Sequence, residues 1–145
     1  MDSTLALLDA FPVTGPEALR KTRDFEAFSL TQPQVELETQ SVLHAGTYCR
    51  TIRIPAGVAI TGALVKIETV LIVSGSMLMT AGDKCLELEG YSVIRCPSGR
   101  KQIMLARSDC FVTMIFATSA KTTAEAEDEF TDEAERLMTR RERVS

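Results

Sequence analysis

An all-β core carrying a helical arm at each end is the fold class predicted by three features of this 145-residue sequence. From about Val35 to Thr118 the chain breaks into short segments rich in Val, Ile, Thr and Leu. The segments are joined by only a few residues drawn from Gly, Pro and Asp, which leaves no room for βαβ crossovers and makes the sheets antiparallel. On either side of that stretch the apolar spacing becomes helical. The boundaries read as an N-terminal helical arm over 1–34, a barrel over 35–119 and a C-terminal amphipathic helix over 120–145, together one domain.

In the N-terminal arm, Leu5, Leu8 and Phe11 fall at helical spacing, Pro16 in GPEALRK stands where a helix commonly starts, and Phe25 and Phe28 are placed to pack onto the body. The barrel follows as nine candidate strands: QVELETQSVL, TYCRTIRI, AITGALVKI, ETVLIVSG, SMLMTA, KCLELEG, YSVIRC, RKQIMLA and CFVTMIFAT. Pro55 with Gly57, Gly75, Gly82-Asp83 and Pro97 with Gly99 supply the reversals between them. Short strands with tight turns predict a sandwich or barrel. After Ala120, Thr122 or Thr123 is placed as an N-cap, acids crowd the first turns and Arg140, Arg141 and Arg143 gather at the far end, as the helix dipole favours. Phe130, Ala134, Leu137 and Met138 form a narrow apolar stripe, which either lies on the barrel or docks on another subunit.

Composition narrows the function classes. With 45% hydrophobic and 25% charged residues the chain has the balance of an ordinary globular protein, which excludes a disordered or fibrous reading. A net charge of −4 and scattered basic residues argue against nucleic acid as a partner. No window approaches the ~20 apolar residues of a membrane span, and the N-terminus lacks a basic leader region, so the expected location is the cytoplasm. Cys49, Cys85, Cys96 and Cys110 are widely and irregularly spaced, as small core residues in a reducing compartment are, rather than as zinc ligands or a disulfide framework.

The run PAGVAITGALVKIETVLIVSG, followed by GYSVIRCPSGRKQ, resembles the paired signature of the cupin superfamily, over a span of about Tyr48 to Thr118. The resemblance implies a double-stranded β-helix, the jelly-roll barrel. In that family the first block holds two histidines and a glutamate, and the second a further histidine after a PxG turn. Here Glu68 matches the carboxylate position; the two histidine positions fall on Gly62 and Leu64, or on Ala63 and Val65 in the other register; the third falls on Gln102. One carboxylate and one amide are too few to hold a transition metal, which needs three or four converging ligands. The expectation is no metal, no cofactor and no metal-dependent chemistry. TMIFATSAKTTAEAEDEFTDEAERLM, with GTYCRTIRIPAG, is similar to small cupin-like proteins of bacteriophages and prophages, some of which carry histidines where this chain has Val65 and Thr69.

Three functions stay open at this point. The first is a non-catalytic structural or interaction subunit, such as a virion or assembly component, with other subunits meeting the C-terminal helix and the location being host cytoplasm or virion. The second is a small-ligand binder using the barrel mouth, with Val65, Glu68, Gln102, Arg50, Lys66 and Arg95 as candidate lining residues for a nucleotide, sugar or metabolite. The third is an enzyme, with His44, the sole histidine, paired with Asp83 or Asp109 as a general base. The competing view of Tyr48, Arg50, Arg53, Lys66, Arg95, Arg100 and Lys101 is that they mark the solvated face of the strands. A homodimer or larger ring through a sheet edge or face is expected for such a barrel.

Overall fold

The computed structural model describes residues 11–137, so the expected roles of Leu5, Leu8, Met138 and the C-terminal arginines lie outside the described residues. Helix α1 spans Pro16–Ser29, begun by Pro16 and by the Leu19 N–H bonding back to the Gly15 carbonyl at 2.8 Å. Strands β1 (Glu38–His44), β2 (Thr47–Ile54), β3 (Ala59–Thr61), β4 (Thr69–Ser74), β5 (Met77–Ala81), β6 (Lys84–Leu88), β7 (Tyr91–Cys96), β8 (Ile103–Ala106) and β9 (Cys110–Ala117) follow. Helix α2 (Thr123–Phe130) and a 3-10 turn (Ala134–Arg136) are the last described elements.

All strand pairs are antiparallel, in one sheet ordered β1-β2-β9-β4-β7 and a second ordered β3-β8-β5-β6. Strands β2 to β9 switch between the two sheets at every connection except the β5–β6 hairpin, in the order of an eight-stranded jelly roll, and β1 is an extra strand added beside β2. Period-2 burial decides which side chains face inward. Along β9, Cys110, Val112, Met114 and Phe116 are buried, and along β4 Thr69, Leu71 and Val73. Gly75, at φ 123°, makes the β4–β5 reversal where a Cβ would lie 2.7 Å from Cys110 Sγ and 2.8 Å from the Asp109 carbonyl oxygen. Only glycine fits there.

Three expectations are corrected by packing. The segment AITGALVKI is a strand only over Ala59–Thr61; it leaves the sheet at Gly62 and touches it again through a single bridge between Val65 and Arg100. The C-terminal helix stops at Phe130 because Thr131 is extended, its hydroxyl accepting the Glu133 N–H at 3.1 Å, while the Lys66 N–H takes the Phe130 carbonyl at 2.8 Å. Phe130 and Ala134 are nevertheless buried and Leu137 packs against the core, so the stripe works as a folded-over segment rather than as one helical face. Phe28 is 60% exposed rather than docked. At one end of the barrel the rings of Tyr48, Phe116 and Phe130 cluster with centroids 5.2 to 6.3 Å apart, and burying each stabilises by roughly 2–3 kcal/mol.

Candidate functional site

A cavity of about 690 Å³ opens between the two sheets and runs out under the connection from α1 to β1. Its inner wall is mostly aliphatic and thioether: Ile52 from β2, Leu71 from β4, Met104 from β8, and Val112 and Met114 from β9. Two cationic side chains reach it, in different electrostatic situations. Arg50 shares one face of β2 with Tyr48, Ile52 and Ile54 and so points inward, where its Nη1 lies 3.5 Å from the carboxylate of the buried Glu127. Arg50 is a compensated charge.

Arg100 is not. It follows the Pro97-Ser98-Gly99 turn, is 4% exposed, and no carboxylate among the described residues pairs with it. Its Nη2 donates to Thr69 Oγ1 at 2.7 Å and its Nη1 to Gln102 Oε1 at 3.1 Å, while Nε has no acceptor among the described residues. Gln102 is itself fixed, its Nε2 donating to the Thr80 carbonyl at 2.9 Å. A second orphan, Thr61 Oγ1, also belongs to a residue lining the cavity. Burial pulls the Arg100 guanidinium below its ordinary value and pushes the neighbouring Cys96 thiol above its own. A buried guanidinium with only neutral acceptors is costly unless an anion reaches it.

The run Arg100-Lys101-Gln102 is buried throughout, and its side chains alternate in direction as extended backbone requires. Lys101 therefore points away from its neighbours, toward the two arms. Its Nζ lies 2.9 Å from Glu133 and 3.1 Å from Glu26 of α1, and Glu133 also holds Arg23 at 3.1 Å and the Leu64 N–H at 3.2 Å. Burial raises the Glu133 carboxyl, but the bonds from Lys101, Leu64 and Arg23 outweigh it, and the group sits below its ordinary value.

Of the candidate lining residues, Val65, Gln102 and Arg50 border the cavity together. Glu68 is exposed and one residue out of phase with the inward-facing Thr69; Lys66 is exposed and pairs with Asp132 at 2.7 Å; Arg95 is exposed on β7. Among the residues assigned to a solvated face, Tyr48, Arg100 and Lys101 are buried instead. His44 is exposed at the end of β1 beside Thr47, whereas Asp109 lies beyond the other end of β2, about 25 Å away at 3.3 Å per residue. Asp109 instead accepts from the Ala56 N–H at 2.9 Å and from Arg53 at 2.7 Å, which lower its carboxyl and pin a turn. Asp83 belongs to the β5–β6 turn of the other sheet, so neither Asp83 nor Asp109 is paired with His44.

Thr61 and Arg100 border the cavity and Thr69 holds Arg100, and none of the three is among the lining residues expected from the sequence. Arg50 carried a signal, the alternation Tyr48, Arg50, Ile52, Ile54. Arg100 had none, since it stands in irregular backbone where periodicity says nothing.

The metal that cupin barrels can hold does not fit this wall. Gly62, Ala63, Val65 and Gln102, positions where the cupin resemblance places histidines, border the cavity, and the positive guanidinium of Arg100 is bonded to Gln102 and Thr69. No three His, Cys, Asp or Glu side chains converge among the described residues.

No family model matches the chain, and no curated protein matches it. Among solved structures it is similar to a cupin superfamily protein from Desulfitobacterium hafniense (11% identity, TM-score 0.49, covering 61% of this chain and 83% of that one). It is also similar to a cupin family protein with a double-stranded β-helix fold from Methanocaldococcus jannaschii (14%, 0.48, 57% and 81%) and to a cupin-2 domain containing protein from Shewanella frigidimarina (14%, 0.43, 68% and 98%). Likeness at this level concerns architecture and transfers neither ligand nor activity.

Proposed function

We propose that the chain is a non-catalytic binding protein that holds a small anion inside the jelly roll. The observation that carries this reading is the Arg100 guanidinium, buried at the wall of a ligand-sized cavity with no anionic partner among the described residues. Native proteins seldom leave a charge in that state, and an incoming carboxylate or phosphate supplies the missing half of the pair. A thermal-shift screen of nucleotides, sugar phosphates and carboxylates tests it. An anion at a hundred times its dissociation constant stabilises by roughly 2.7 kcal/mol, and Arg100→Gln abolishes the shift. An anion panel without a single hit refutes the reading.

The second reading is a structural or interaction subunit, of a phage particle if the sequence resemblance holds. A specific observation favours its interaction part: Phe111 on β9, Val70 on β4, and Tyr91 and Val93 on β7 are exposed on adjacent strands of the five-stranded sheet. A contiguous apolar face of this kind suits a second copy meeting it about a twofold axis. Sedimentation of a homodimer that Val93→Lys dissociates supports this, and a monomer at micromolar concentration counts against it. The free cysteines fit a reducing compartment, and no helix among the described residues is long and apolar enough to cross a membrane.

A further inference from the structure

Anions differ in charge number and in what they carry, and the cavity discriminates on both counts. Two cations line it, Arg50 and Arg100: Arg50 is paired with Glu127, the lining carboxylates Glu26 and Glu133 are paired with Lys101, Glu135 is exposed, and the charge of Arg100 is offset by no acid among the described residues. A nucleotide or sugar phosphate bringing two or more negative charges leaves at least one of them without a compensating cation there. A singly charged head does not, provided it sits on the one guanidinium that lacks an acid. Of the five N–H groups of Arg100, two are taken by Gln102 and Thr69, and the planar fork matches a carboxylate in shape.

The rest of the cavity describes what is attached to that head. Ile52, Leu71, Met104, Val112 and Met114 offer no hydrogen bond to the hydroxyls of a sugar, whose burial without partners is unfavourable. They suit an aliphatic body, and the two methionines can repack around different chain shapes. The apolar character continues outward, since Phe28, Leu30 and Val35 border the cavity and are 49 to 60% exposed.

We infer that the ligand is an amphiphilic monocarboxylate, its carboxylate on Arg100 and its aliphatic tail lying between the sheets against Met104 and Met114. The inference rests on the anion-binding reading above and narrows it. Calorimetric titration of the full chain with decanoate, decanol, butyrate and ADP tests both. Decanoate binds with a negative heat-capacity change, and decanol and butyrate each bind at least tenfold more weakly. Arg100→Gln weakens decanoate at least tenfold and leaves decanol unchanged. Met104→Trp, which fills the cavity without touching Arg100, removes decanoate binding and keeps the inference testable if the arginine variant misfolds. Binding of ADP in an Arg100-dependent way, without decanoate, overturns the ligand class and leaves the anion reading standing. Equal binding of decanoate and decanol, unaffected by Arg100→Gln, overturns both, and so does no binding at all.

Discussion

Lys101→Met removes the ammonium that both chain arms share while keeping a side chain of similar length. The lysine side chain is 0% exposed, and Glu133 and Glu26 lie 2.9 and 3.1 Å from it at 14% and 16% exposure. Breaking a buried ion pair from one side destabilises by about 3–5 kcal/mol, because the remaining charge is left without compensation. Two features reduce that figure here: both carboxylates retain some contact with water, and Glu133 keeps Arg23 and the Leu64 N–H. A loss of about 2–3 kcal/mol is therefore expected, which at about 3–4 °C per kcal/mol for a domain of this size lowers Tm by about 6–12 °C. The chain has no tryptophan, so urea unfolding followed by far-UV circular dichroism is the suitable assay. In a double-mutant cycle with Glu133→Gln, the two losses should be strongly non-additive. If Lys101→Met melts within 1 °C of the parent, or if the two losses simply add, the shared-lysine account is wrong.

Acid should expose the same cluster. The folded Glu133 carboxyl lies below its ordinary 4.5, so its stabilisation is present above that pH and is lost as pH falls through the lowered folded value. Glu133→Gln should flatten the acid limb of a stability-against-pH curve, and an unchanged limb would exclude the carboxylate as its source. Arg100→Met should leave the ligand-free protein as stable as the parent or about 1 kcal/mol more so, because it removes an uncompensated buried charge. A large loss on thermal melting would mean that the guanidinium already has an anionic partner. Gly75→Ala should prevent folding or lower stability by more than about 3 kcal/mol, since both φ and the Cys110 contact forbid a Cβ. Its soluble yield and melting curve check this. Phe130→Ala should lose about 3–5 kcal/mol by opening the ring cluster with Tyr48 and Phe116.

Much of the architecture was legible because strands announce themselves by alternation and turns by glycine. The segments of β4, β5, β7 and β9 could be marked off from residue type alone, and Gly75 could be named as a reversal before its crowded surroundings were known. What escaped was irregular backbone. Between Gly62 and Glu68 the chain bulges out of the sheet, so counting from Gly75 to Glu68 selected an outward carboxylate next to the inward Thr69. In the Arg100-Lys101-Gln102 run, Gln102 is a candidate lining residue, but Arg100 and Lys101 are misjudged for a related reason: consecutive charged residues read as surface. The partners of the run, Thr69, Glu26, Glu133 and Thr80, are each at least 22 residues distant in sequence, and no local pattern foretells such long-range satisfaction. The C-terminal stripe was read correctly as apolar and wrongly as one continuous helix, because spacing cannot show that Thr131 would take an extended conformation.

A single peptide unit separates the guanidinium at the cavity wall from the ammonium that fastens α1 and the Glu133 segment. Because side chains 100 and 101 leave that unit in opposite directions, a rotation that draws one inward swings the other out. The clasp on the reverse side is shared by the two ends of the described chain, and an occupant that shifts Arg100 is expected to shift it as well. Hydrogen exchange in Pro16–Ser29 and in Thr131–Leu137 should accordingly slow in step when the interior is occupied, as one cooperative unit rather than as two independent flaps.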